Sequence, residues 1–155
     1  MDRLAEAARN AIELQGYEDI RAALHPHCVV CSPNHPGGLC LRFMVGADDT
    51  VVADFELDQT VEGYVGWPHG GITASILDGA MTNWLFAHGL TCVTAELKVR
   101  FRHPVLLDEP ARVTASLKSV AHPLYVLEAH VMQNGQLKVR ATGRFMYTQD
   151  VVGGL

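Results

Sequence analysis

Val61-Glu62-Gly63-Tyr64-Val65-Gly66-Trp67-Pro68-His69-Gly70-Gly71-Ile72-Thr73-Ala74-Ser75-Ile76-Leu77-Asp78 passes from a loop rich in glycine into an apolar, helix-patterned run. A helix is expected over residues 70–88, because Ile72, Ile76, Ala80 and Trp84 form an i, i+4 stripe. Gly71, Ala74, Ser75, Asp78 and Thr82 fall on the other side and are small or polar. The first side suits a sheet, and the second suits close approach by another body. Helix starts carry unpaired N–H groups and partial positive charge, and glycine lets a ligand come near them. The His69-Gly70-Gly71 turn therefore suits an anion, or an oxygen becoming one. A plain glycine-rich turn is the alternative for the tripeptide alone. Asp78 lies two turns further in, where the dipole no longer helps it, on a face that is otherwise nearly uncharged. A carboxylate there needs a partner or a use.

Distance along the helix sharpens the reading. Gly71 and Asp78 are about 10 Å apart at 1.5 Å per residue. A reacting carbonyl must lie about 3 Å from its donors, with the attacking group or base similarly close. One helix cannot easily apply both ends to one carbonyl. Two copies packed antiparallel through the small-residue face can, which predicts a two-fold dimer with two equivalent sites.

The flanking sequence is mostly β. Leu39–Val45 and Thr50–Leu57 read as strands joined by a turn at residues 46–49. After the helix, Val93, Ala95, Leu97, Val99 and Phe101 alternate with Thr94, Glu96, Lys98, Arg100 and Arg102. Val113, Ala115 and Leu117 continue the period of two, as do Tyr125, Leu127, Ala129 and Val131, then Leu137, Val139, Ala141, Phe145 and Tyr147. Asn134-Gly135 between the last two runs signals a hairpin. Such alternation means an antiparallel sheet with one buried and one polar face. Residues 2–24 read as a further helix with a charged outer side. One long helix must cover one curved sheet, an α+β arrangement.

Composition bounds the rest. The chain has 155 residues, 48% hydrophobic and 19% charged, which fits one globular domain over 1–155. Its expected parts are an N-terminal helix at 1–24, a Cys-x-x-Cys loop at 25–38 and a core at 39–148. No apolar run reaches the ~20 residues of a membrane span, and MDRLAEAARN has no apolar core of a secretory signal, so a cytoplasmic location is expected. Net charge is −5, against a general nucleic-acid binder. Residues 1–90 carry 4 basic and 12 acidic side chains, and residues 91–155 carry 8 and 5. The basic second half suits an anionic small molecule, or simply a solvated sheet face. Cys28-x-x-Cys31, near His25, His27 and His35, invites a zinc reading, but the usual second pair of ligands is missing. Its prolines and glycines mark a loop rather than the helix start of a redox motif, and a packed structural loop is the favoured reading.

These residues together resemble a family. His69-Gly70-Gly71 with Asp78 nine positions after the histidine is similar to the hotdog-fold acyl-CoA thioesterases of the phenylacetyl-CoA thioesterase (PaaI-like) group. The loop Cys28–Leu39 and the strand Thr94–Pro104, ending in proline, also resemble that group, and the likeness runs from about Cys28 to Tyr147.

The resemblance implies a curved antiparallel sheet wrapped around a central helix, and hydrolysis of an acyl-CoA thioester without metal or redox cofactor. It implies that the Gly71 N–H polarises the carbonyl, that His69 orients the loop or bonds near the carbonyl, and that Asp78 of the partner subunit acts as nucleophile or general base. Thr94 matches a position where relatives place Ser or Thr to hold the water or the acid. Gly63 stands where some relatives carry Asn, six positions before the histidine, so one polar contact is lost. Gly70, Gly63 and Trp67 are candidates for substrate binding. Arg100 and Arg102 are candidates for the coenzyme A phosphates or for strand solvation. Tyr64, Trp67 and Trp84 are candidate walls of an acyl pocket, with core packing as the alternative for both tryptophans. The implied partners are an acyl-CoA and a second copy of the chain, as homodimer or dimer of dimers. A hydratase or dehydratase of the same fold, and a non-catalytic acyl-CoA-binding module, are the rival functions.

Overall fold

The computed structural model describes residues 16–149. Residues 16–24 are helical (α1), and the rest of the expected N-terminal helix lies outside the described residues. The later elements are β1 (Met44–Val45), β2 (Val51–Phe55), a 3-10 turn (Gln59–Val61), α2 (Gly70–Ala87), β3 (Cys92–Phe101), β4 (Ala111–Ala121), β5 (Leu124–Gln133) and β6 (Gln136–Tyr147). The strands form one antiparallel sheet in the order β1-β2-β4-β5-β6-β3. Helix α2 touches β2 through β6, so the sheet wraps around it. This is the α+β hotdog arrangement that the resemblance implied.

The apolar stripe drives that packing. Ile76 and Ala80 are fully buried and Trp84 nearly so, with Leu77, Met81 and Leu85 beside them. Facing them are Val113, Ala115, Leu127, Val131, Val139 and Phe145, also buried. Truncating one such Leu or Ile to Ala costs about 2–5 kcal/mol. The helix ends on a glycine cap. Gly89 takes φ +68°, its N–H donates to the Phe86 carbonyl at 3.0 Å, and the Leu90 N–H donates to Leu85 at 2.9 Å. Asn134 and Gly135 turn the β5–β6 hairpin with φ of 53° and 72°.

Two expectations for the strands need correction. Only Met44–Val45 of the expected strand 39–45 joins the sheet. The N–H groups of Leu39 and Leu41 instead donate to the carbonyls of Val29 and Val30, so this stretch pairs with the cysteine loop. The expected alternation of β3 also breaks. A bulge between Thr94 and Glu96 shifts the register against β6. Thr94 pairs with buried Phe145, and Leu97 and Val99 pair with Gly143 and Ala141. Thr94 therefore shares the helix-facing side with Leu97 and Val99, while Val93 is exposed. A one-residue insertion flips every side chain beyond it.

α1 rests on α2 through a buried contact, the Tyr17 hydroxyl donating to Asn83 Oδ1 at 2.7 Å. The cysteine loop packs one turn away. A Cβ added to Gly79 would lie 2.7 Å from Val30, so the loop approaches this closely only because residue 79 is glycine.

Candidate active site

The loop before α2 is folded around His69. Its N–H donates to Val61, the Gly63 N–H donates to Trp67, and Glu62 Oε1 accepts the Gly66 N–H at 2.7 Å. Gly63 lies flat against His69, where a Cβ would come within 2.9 Å of His69 Cα. That contact gives a physical reason for glycine at residue 63, because any side chain there meets the His69 backbone. His69 is itself the N-cap, with Nδ1 accepting the Gly71 N–H at 2.9 Å. In this arrangement a neutral ring carries its proton on Nε2.

In this structure the Gly71 N–H is engaged by the ring. The neighbouring Gly70 N–H makes no hydrogen bond among the described residues, and Gly70 lines a cavity of about 380 Å³. Tyr64, Trp67, Thr73, Phe101, Arg102 and Val105 line the same cavity. Phe101 stands over Gly70, its ring 3.5 Å from where a Cβ would be.

Asp78 lies elsewhere, half-buried in a second cavity of about 210 Å³ with Thr94, Thr82, Phe86 and His25. Its Oδ1 accepts the Thr94 hydroxyl at 2.8 Å. Burial pushes the Asp78 carboxyl above the ordinary aspartate range; the Thr94 hydroxyl and nearby His25 pull it down, and Cys28 pushes it up. The residual exposure of α2 runs along Gly71, Ala74, Ser75 and Asp78, the small face singled out from sequence. Thr82 is buried, and lines the Asp78 cavity together with Leu24 and His25.

The remaining candidates separate cleanly. Trp67 and Arg102 sit at the Gly70 cavity. Arg100 does not, because it pairs with Arg140 between Val99 and Phe101 and so points from the outer face of the sheet. Trp84 is a core residue whose indole N–H donates to the Asp49 carbonyl at 2.8 Å, not a pocket wall. Sequence reasoning missed Thr73 and Val105 at the first cavity and His25 and Phe86 at the second. Phe101 and Thr94 on one face could have been found only from the bulge, which no local residue announces.

Over residues 66–139, from the loop ahead of α2 into β6, the chain matches the thioesterase superfamily. No curated protein matches its sequence. Among solved structures, a thioesterase superfamily protein aligns with TM-score 0.75 and 23% identity, over 94% of this chain and 86% of the other. A hypothetical thioesterase from Streptococcus pneumoniae, solved with coenzyme A, aligns with TM-score 0.65 and 18% identity, over 70% and 85%. Variants of that protein replace an aspartate, and a threonine 16 positions later, with alanine. That is the spacing of Asp78 and Thr94 here. The Escherichia coli PaaI protein from the phenylacetic acid degradation operon aligns with TM-score 0.65 and 15% identity, over 92% and 98%.

Proposed function

We propose that this chain hydrolyses an acyl-CoA thioester to a carboxylic acid and coenzyme A, at sites shared between two copies, and that it falls in the PaaI-like group. The observation that carries the proposal is the division of labour along α2. Gly70, with its free N–H, and Asp78 line different cavities of one chain, about 12 Å apart along the helix. A two-fold axis through the small-residue face brings Gly70 of one copy to Asp78 of the other. The edge of β3 supports such a pairing. It is ten residues long, has no neighbour on one side among the described residues, and exposes Val93 and Phe101. Long exposed edges are sites of strand addition by another chain.

In this reading the thioester oxygen accepts the Gly70 N–H, and the His69 Nε2–H is the second donor. Thr94 occupies Asp78 Oδ1, so Oδ2 takes a proton from water. The water oxygen bonds to the carbonyl carbon, and the carbon–sulfur bond then breaks. The proton passes from Asp78 to the departing coenzyme A thiolate. A carboxyl raised by burial is suited to holding that proton. Aromatic Tyr64, Trp67 and Phe101 face the acyl group, and Arg102 is the cation nearest the mouth for a coenzyme A phosphate.

The test is thiol release from a panel of acyl-CoA esters with the purified chain. Turnover is expected for at least one ester, with no hydration of crotonyl-CoA. Saturable binding without turnover would instead make the chain a binding module, and hydration without thiol release would make it a hydratase. A single turnover in heavy-oxygen water, followed by digestion, separates general base from nucleophile. Label on Asp78 itself would mean an acyl-aspartate intermediate.

A further inference from the structure

We propose that His25, Cys28 and Cys31 form a site for one zinc ion, with three protein ligands and solvent as the fourth. It stands whether or not the chain hydrolyses thioesters. The ligand atoms of the three residues all lie within 4.8 Å of one another. Cys31 Sγ and His25 Nδ1 are 3.7 Å apart. A tetrahedral ion with Zn–S of about 2.3 Å and Zn–N of about 2.0–2.1 Å holds such a pair about 3.6 Å apart. That pair is already at the spacing of a zinc ion, and the remaining ligand atoms, within 4.8 Å, close on it by a shift of about 1 Å at most. On binding, both thiols lose their protons to solvent, and the two thiolates balance the dication.

The surroundings are built for that role. The Val30 N–H donates to Cys28 Sγ at 3.4 Å, the kind of outer contact that steadies a metal thiolate. The loop is tied to itself. The buried Ser32 hydroxyl donates to the Pro26 carbonyl at 2.5 Å and accepts the Asn34 N–H at 3.0 Å, and the Ser32 N–H donates to Cys28 at 3.0 Å. His25 is held by its ring edge against Phe86, with centroids 4.8 Å apart. Sequence spacing offered only one cysteine pair. The fold supplies the third donor by bringing the end of α1 over that pair. Through Val30 on Gly79, the ion would lock the loop against α2 beside Asp78, and His25 shares the Asp78 cavity.

Cobalt(II) added to the reduced, chelator-treated full chain reads the site directly. The expected result is sulfur-to-cobalt charge transfer and strong tetrahedral visible bands, saturating at one equivalent and abolished by zinc. Cys28→Ser and His25→Ala, each checked for folding by circular dichroism, should lose the bands. Zinc should also slow alkylation of Cys28 and Cys31, but not of exposed Cys40, by about tenfold or more in peptide mapping, as thiolates tied to metal lose nucleophilicity. Featureless cobalt spectra, or equal alkylation of all four thiols with and without zinc, would overturn the proposal. So would a Cys28–Cys31 disulfide that reforms under air despite excess zinc.

Discussion

The Thr94 hydroxyl donates to Asp78 Oδ1 at 2.8 Å, and it reaches the helix only because a bulge at the start of β3 turns it inward. Burial raises the Asp78 carboxyl and this bond opposes the rise. Bulges often re-aim a side chain next to a functional site. Here one joins a strand to the acid on α2.

Removing the donor should therefore raise the Asp78 carboxyl further. In Thr94→Val the acidic limb of the kcat/KM profile should move to higher pH, and Thr94→Ser should return it to the wild-type position. A pH–rate series on the three proteins checks this. An unmoved limb in Thr94→Val would mean that Asp78 does not set it.

Asp78→Asn should lower kcat by at least ~10², the usual worth of an acid–base group. It should not lower stability. Because the folded carboxyl lies above its unfolded value, the folded state binds more protons, and stability falls as pH rises through the raised pKa. The amide lacks that penalty and can still accept the Thr94 hydroxyl. Thermal unfolding at neutral pH should give a midpoint equal to or above wild type.

The two arginines make a paired prediction. Arg102→Ala should raise KM for acyl-CoA, by about tenfold for a lost charged hydrogen bond of about 1.5 kcal/mol, with kcat little changed. Arg100→Ala, on the outer face, should leave both parameters near wild type. Equal effects would place the coenzyme elsewhere.

Much of this architecture was legible in the sequence. The stripe Ile72, Ile76, Ala80, Trp84 gave the buried side of α2, and Asn134-Gly135 gave a hairpin, because both signals are local and periodic. The spacing from His69 singled out Asp78 as the candidate acid for the same reason. What failed depended on contacts distant in sequence. Leu39 and Leu41 have strand chemistry, but the cysteine loop claims their N–H groups. A strict period of two put Thr94 on the polar face, and only pairing with Phe145 shows the slip. His69 caps α2 by taking the N–H two positions on, an unusual use of histidine that the tripeptide alone does not announce.

Gly63 yields a stability prediction. A methyl group there meets the His69 backbone at 2.9 Å, so Gly63→Ala must push the capping histidine away from Gly71. The expected loss is about 1–3 kcal/mol in chemical denaturation, with lowered activity.

The shared site is tested most directly by mixing two inactive chains. Gly70 is the first helical residue, and His69 before it has φ −57° and ψ 135°, compatible with a following proline. Gly70→Pro therefore removes the free N–H while keeping the helix, and should cost about 10²–10³ in kcat. Mixed with Asp78→Asn at equal concentration under conditions of subunit exchange, it forms hybrids in which one of the two sites has both wild-type residues. Random pairing predicts recovery of about one quarter of wild-type activity. Activity no greater than that of the two parents, with hybrids demonstrated by mass spectrometry, would contradict the account.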